Sequence, residues 1–149
     1  MINLKNILKG NVVIVCVGNI DRGDDGFGPR LAAILKEKKI HNVIDAGMAP
    51  ENYTGVVKKL KPDTIIIVDA VYFEGKPGEI RLFSGEDIRF NDISTHGMSL
   101  KFFIEYMKNY TKAGMYLLGA KPVSNKLGDG LSREVAGSLE AVKSLFLDR

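Results

Sequence analysis

A chain of 149 residues, 45% apolar and 26% charged, is long enough for a core of its own, and 1–149 reads as a single domain. A net charge of +3 is too small for an extended nucleic-acid surface, and the single cysteine rules out a disulfide-stapled secreted fold. Residues 1–10 carry no apolar stretch suited to a signal peptide, and no run approaches the roughly 20 apolar residues of a membrane span, so the chain reads as cytoplasmic, with neither a membrane nor a nucleic-acid partner.

The run Val12-Val13-Ile14-Val15-Cys16-Val17 is apolar and β-branched throughout, as a strand buried on both faces would be. Cys16 inside it reads as a small core residue rather than a reactive thiol. Gly18-Asn19 ends the strand, and an acidic loop follows. Pro29 suits the first turn of a helix that buries Leu31, Ile34 and Leu35. Lysines near 36–39 and 58–61 suit solvated helix ends, where cations are favoured.

Residues 42–46 form a short second strand, and Pro50-Glu51-Asn52 opens a short helix with Tyr53, Val56, Val57 and Leu60 on its inner side. Residues 64–68 are again wholly apolar. After a turn at 75–78, residues 79–83 alternate polar and apolar, as a half-exposed and antiparallel edge strand does. A helix over 98–110 places Leu100, Phe103, Ile104 and Met107 on one face. Residues 115–120 make a last buried strand, and 121–130 a loop. Leu131, Val135, Leu139 and Val142 mark the inner face of a C-terminal helix. Strands alternating with helices predict an α/β fold, a three-layer αβα sandwich around a mostly parallel sheet of about five strands.

Such a sheet presents its functional residues at the carboxyl ends of its strands. Three candidates stand there: Asp25 in Gly23-Asp24-Asp25-Gly26, Asp69 closing Ile65-Ile66-Ile67-Val68, and His96 in Ser94-Thr95-His96-Gly97. The glycine loop is not a dinucleotide fingerprint. Its spacing is G-x-x-G-x-G, and Asp21, Asp24 and Asp25 would repel a pyrophosphate, although Asp45 lies about where a ribose-binding acid would fall. One of Asp24 and Asp25 can cap the following helix while the other faces the rim, and the loop alone does not separate capping from ligation.

Asp69 in so apolar a setting must be paired or bind something. His41, beside lysines, reads as a solvent-facing residue. Two carboxylates and an imidazole leave coordination positions open, as a working metal site does, and zinc, nickel, cobalt and manganese all fit the ligand types.

The chain resembles the endopeptidases that mature the large subunit of [NiFe]-hydrogenases. The matching pieces run in order: Gly18-Asn19, Gly23-Asp24-Asp25-Gly26-Phe27-Gly28-Pro29, Asp45-Ala46-Gly47, Ala49-Pro50-Glu51-Asn52, Ile67-Val68-Asp69-Ala70, Pro77-Gly78-Glu79-Ile80 and Ser94-Thr95-His96-Gly97-Met98. The form Ala49-Pro50-Glu51-Asn52 is most similar to the branch serving formate-hydrogenlyase-type and related cytoplasmic hydrogenases.

The resemblance implies removal of a C-terminal extension from the large-subunit precursor after nickel insertion. It also implies that Asp25, Asp69 and His96 contact nickel as metal-binding and catalytic residues, and that the nickel arrives with the substrate rather than residing in the protein. The partner would be the precursor, and the acting unit a monomer.

Two rival readings use the same residues differently. A non-catalytic nickel-binding assembly chaperone would hold metal and cleave nothing. A receiver-like module would need Lys121, after the last strand, beside the acids.

Overall fold

The computed structural model describes residues 2–85 and 96–148. Ser94 and Thr95, which precede His96 in the sequence, lie outside them.

Strand β1, Val12–Val17, is buried along its whole length. A 3₁₀ turn, Gly23–Gly26, leads into α1, Phe27–Glu37. Strand β2, Val43–Gly47, is followed by a second 3₁₀ turn, Pro50–Tyr53, and by α2, Thr54–Lys59. Then come β3, Thr64–Ala70, β4, Ile80–Ser84, α3, Gly97–Tyr110, β5, Gly114–Ala120, and α4, Arg133–Leu147. The strands form one sheet in the order β2-β1-β3-β5-β4. All neighbours are parallel except β4, which runs antiparallel to β5 at the edge. The mostly parallel sheet with one antiparallel edge strand is therefore as expected.

Alternation along each strand divides the core in two. Val12, Ile14 and Cys16 of β1, with Ile66 and Val68 of β3, pack against Leu31 and Leu35 of α1 and against Val135, Leu139, Val142 and Phe146 of α4. Val13, Val15 and Val17, with Ile65 and Ile67, pack against Val57 of α2 and against Leu100, Phe103, Ile104 and Met107 of α3. Helices thus cover both faces.

The inner side expected of the second helix is narrower than its spacing suggests. Val57 is buried, Tyr53 and Leu60 are half-buried, and Val56 is exposed. The helical segment is only six residues long, with Tyr53 in the preceding turn and Leu60 at the cap; both still pack against the core beside Val57, and Val56 alone of the four turns to solvent.

Strand order creates the site. From β1 the chain moves outward to β2, then returns to form β3 on the other side of β1. Loops leaving neighbouring strands in opposite directions open a crevice above their carboxyl ends, where open α/β sheets bind ligands. Glycine lets the acidic loop lie close over that crevice. Gly18 has φ +149°, and a Cβ there would collide with the Asp25 carbonyl oxygen. A Cβ on Gly28 would collide with the Val17 carbonyl oxygen and lie 2.9 Å from that of Val68, so the first turn of α1 rests on the ends of β1 and β3.

Candidate active site

The three residues arrive from three elements. Asp25 stands in the 3₁₀ turn after β1, its amide donating to the Arg22 carbonyl oxygen at 2.9 Å and its Oδ2 accepting from the Asn19 amide at 2.9 Å. The short turn and these two bonds fix the carboxylate over the crevice. Asp69 lies near the end of β3 in step with Ile65 and Ile67, so it shares the sheet face covered by α2 and α3. It is fully buried. His96 is the residue before α3, and its carbonyl accepts from the Leu100 amide at 2.9 Å. Anchoring the helix start on that face brings the imidazole over Asp69.

His96 Nε2 lies 3.0 Å from Asp25 Oδ2 and 3.2 Å from Oδ1. One ligand atom from each of Asp25, Asp69 and His96 falls within 4.8 Å of the others. Two buried carboxylates side by side require a compensating positive charge. His96, in contact with Asp25, is placed to supply it when protonated. Burial pulls the imidazole pKa down, but the hydrogen bond to Asp25 and the charges of Asp69, Asp25 and Glu51 outweigh burial and raise it above 6.5. The donor set fits a divalent transition cation: two carboxylate oxygens and one imidazole nitrogen with no thiolate.

The raised pKa has a consequence for folding. A protonated His96 bound more tightly in the folded state contributes stability that is fully present below the unfolded pKa and lost as pH rises through the folded pKa. The urea midpoint of metal-free protein should therefore decline above about pH 6.5 in wild type, and His96→Ala should lack that component. Parallel slopes for the two proteins between pH 5 and 9 would contradict the Asp25–His96 pairing.

Asp24 points the other way. It is fully buried, its Oδ2 accepting from the amides of Val123 at 2.8 Å and Ser124 at 3.2 Å and its Oδ1 from the Ser132 amide at 2.7 Å. The expectation that one aspartate caps the following helix is corrected here, since α1 has no side-chain cap. Asp24 instead fastens residues 121–132, including Ser132, which itself caps α4 by accepting from the Val135 amide. Its partners are about a hundred positions away, and no local pattern announces them.

The remaining candidates lie elsewhere. Asp21 is exposed, its carbonyl accepting from Gly128. Asp45 is also exposed, its Oδ1 accepting from the Gly47 amide at 3.2 Å, and His41 is exposed before β2. Cys16 is sealed in the core, where burial pushes its thiol far above the usual range. Lys121 donates to the Gly75 carbonyl at 2.7 Å, so the lysine that a receiver-like module needs is engaged away from the acids. Two groups at the site were not singled out from sequence. Glu51 adds its charge at His96. The Tyr72 phenol, beyond β3, has its pKa raised by burial and then by the charges of Asp25 and Asp24.

A family model described as "HycI: Hydrogenase maturation protease" matches residues 28–149, a range that includes Asp69 and His96 and begins just past Asp25. The Hydrogenase 3 maturation protease of Escherichia coli (strain K12) is 41% identical over 99 residues. That match spans 64% of this chain and 64% of that protein, just under two thirds of its length. The crystal structure of a [NiFe] hydrogenase maturation protease HycI from Thermococcus kodakarensis KOD1 is 33% identical with a TM-score of 0.86, covering 97% of this chain and 96% of that one. The solution structure of an endopeptidase HycI from Escherichia coli is 30% identical with a TM-score of 0.79, covering 91% and 88%. With sequence similarity running from the first turn of α1 to the C-terminus on a sheet and helices that superpose over nearly the whole chain, this protein belongs to the hydrogenase maturation protease family.

Proposed function

We propose that this chain is an endopeptidase that removes the C-terminal extension of a [NiFe]-hydrogenase large-subunit precursor, and that it recognises the nickel already inserted there. The observation that carries this reading is the buried convergence of Asp25, Asp69 and His96 at the crevice, in a chain of this family.

Nickel belongs to the substrate, and the three side chains read its presence. Without a cation, the two carboxylates are compensated by protonated His96, which occupies Asp25. A nickel-loaded precursor offers a divalent charge in its place, His96 gives up its proton, and the carboxylates gain a stronger partner. A precursor without nickel offers no such exchange and binds poorly. Once docked, the nickel polarises the scissile carbonyl. A carboxylate of the cluster takes a proton from water as the oxygen attacks that carbon, and returns it to the leaving amine as the C–N bond breaks. Cys16 takes no part, being enclosed in the sheet.

The acting unit in this reading is a monomer, in keeping with helices that cover both faces of the sheet. Among the described residues, no helix is long and apolar enough to cross a membrane. The test is intact mass spectrometry of a nickel-loaded large-subunit precursor after incubation with the protein, beside a nickel-free control. The expected result is loss of one C-terminal peptide in the loaded sample alone. Nickel retained by this chain with both precursors intact would instead make it a metal-holding assembly protein.

A further inference from the structure

Beside the acidic turn lies a pocket that the proposed reaction leaves unused. It measures about 320 Å³ and opens between the loops that follow β1 and β5, lined by Ile20, Asp21, Leu127, Asp129 and Arg30 of α1. Main-chain pairing fixes its walls. Arg22 and Leu127 form a bridge, the Gly23 amide donates to the Asp129 carbonyl at 3.1 Å, and the Gly128 amide donates to the Asp21 carbonyl at 2.8 Å. Ile20 and Leu127 are large and apolar, yet 49% and 62% exposed. Arg30 stands in the first turn of α1, where side chains lean back toward the helix start. Gly26 lets it come close to the loop: a Cβ there would lie 3.3 Å from Arg30 Nε and 3.4 Å from the Ile20 carbonyl oxygen. Arg30 Nε is shielded from solvent and meets no acceptor among the described residues, and no carboxylate among them forms an ion pair with Arg30. A guanidinium N–H withheld from water without an acceptor is costly, and an acceptor carried in by a ligand would remove that cost.

We propose that this pocket is a subsite for the precursor's C-terminal extension, the part that leaves on cleavage. It holds an extended segment with a main-chain carbonyl on the Arg30 guanidinium and an apolar side chain between Ile20 and Leu127. The assignment rests on reading the chain as an endopeptidase acting at Asp25, Asp69 and His96. Placement supports it. Gly26, against which Arg30 lies, follows Asp25 directly, so the pocket adjoins the acidic turn. Asp69 shares the sheet face covered by α2 and α3, whereas α1, which carries Arg30, covers the other face. A peptide cut at the cluster can therefore send its extension across the acidic turn toward α1. Charge selects the ligand. One guanidinium stands against the exposed carboxylates of Asp21 and Asp129, so the pocket is net negative and disfavours an anion. A neutral carbonyl oxygen escapes that repulsion and still accepts from the guanidinium, while peptide N–H groups have the two carboxylates as acceptors.

The experiment uses the purified full-length chain with a nickel-loaded precursor and, separately, a synthetic peptide of the precursor's extension as a probe for NMR. In wild type the peptide should shift the Arg30 Nε–H signal and the amides of Ile20, Leu127 and Gly128. Arg30→Gln should raise KM roughly 10–100-fold, as loss of a hydrogen bond from a charged donor does, with kcat unchanged and no fall in the urea midpoint. A precursor whose extension is shortened to its first residues should be cut equally well by both proteins, because no segment remains to enter the pocket. Unchanged KM in Arg30→Gln, or peptide shifts confined to other parts of the chain, would overturn the subsite. Equal losses on the full and the shortened extension would make Arg30 a structural residue and overturn it as well. A wild type that leaves the loaded precursor intact would overturn the peptidase reading alone, and the peptide titration would still decide the subsite.

Discussion

Asp69→Asn should cut precursor cleavage by about 10²–10⁴-fold, the range for losing a positioned acid or base, and leave the protein folded. The substitution is nearly isosteric, so the packing of β3 between β1 and β5 is unchanged. What disappears is a negative charge buried beside a second carboxylate. Removing it relieves repulsion with Asp25, and His96 loses one of the charges that raise its pKa. Stability at neutral pH should therefore stay near that of wild type or rise slightly, while the pair of carboxylates is broken. Urea denaturation and the intact mass of a nickel-loaded precursor check the two halves separately. A variant that fails to fold would make Asp69 a structural group, and one that cleaves normally would remove it from the chemistry. His96→Ala should behave alike in cleavage, with the altered pH dependence of stability described above.

The arrangement was legible where a residue's own neighbours announce its surroundings. The runs 12–17 and 65–68 are apolar without alternation, which identifies strands buried on both faces, and an acid at the end of such a run stands out by contrast. Asp69 stands out in that way, whereas Asp25 drew notice from the acidic glycine loop after β1 and His96 from its place just before a helix. Topology was harder to read. Placing β5 between β3 and β4 depends on pairing across dozens of residues, and nothing local encodes it. Val56 misled because helical spacing describes which residues share a face and is silent on how much of a six-residue helix reaches the sheet. Glu51 was invisible as a site residue because its surroundings are built by a turn packing on a helix distant in the chain. The division of labour between Asp24 and Asp25 was hidden for the same reason: adjacent identical residues point opposite ways, and only the distant loop distinguishes them.

That division supplies the second large effect. Asp24→Ala should destabilise the protein by about 3–5 kcal/mol, as breaking a buried charged network does, with residues 121–132 loosening first. Three backbone amides, those of Val123, Ser124 and Ser132, converge on this one carboxylate. Hydrogen bonds to a charged acceptor contribute about 1.5–3 kcal/mol each, and buried donors left behind add their own desolvation cost. These contributions overlap, so the net loss is smaller than their sum. Asp24→Asn should recover little, because the amide nitrogen replacing one oxygen meets N–H donors rather than acceptors.

Asp25→Asn, one residue along, should show a different profile, with cleavage lost and stability reduced chiefly below neutral pH, where the pairing with His96 contributes. Urea midpoints of the three variants, with hydrogen exchange at Val123, Ser124 and Ser132, decide the matter. Asp24→Ala as stable as wild type would mean that the loop is held instead by the bridge between Arg22 and Leu127 and by the Gly128 amide donating to the Asp21 carbonyl. In that case Asp24, already turned from the crevice, would have neither a structural nor a chemical use. Different profiles for the two aspartates would instead show how one turn serves both ends. It fastens the loop below with its first carboxylate and turns the second toward His96 and the crevice.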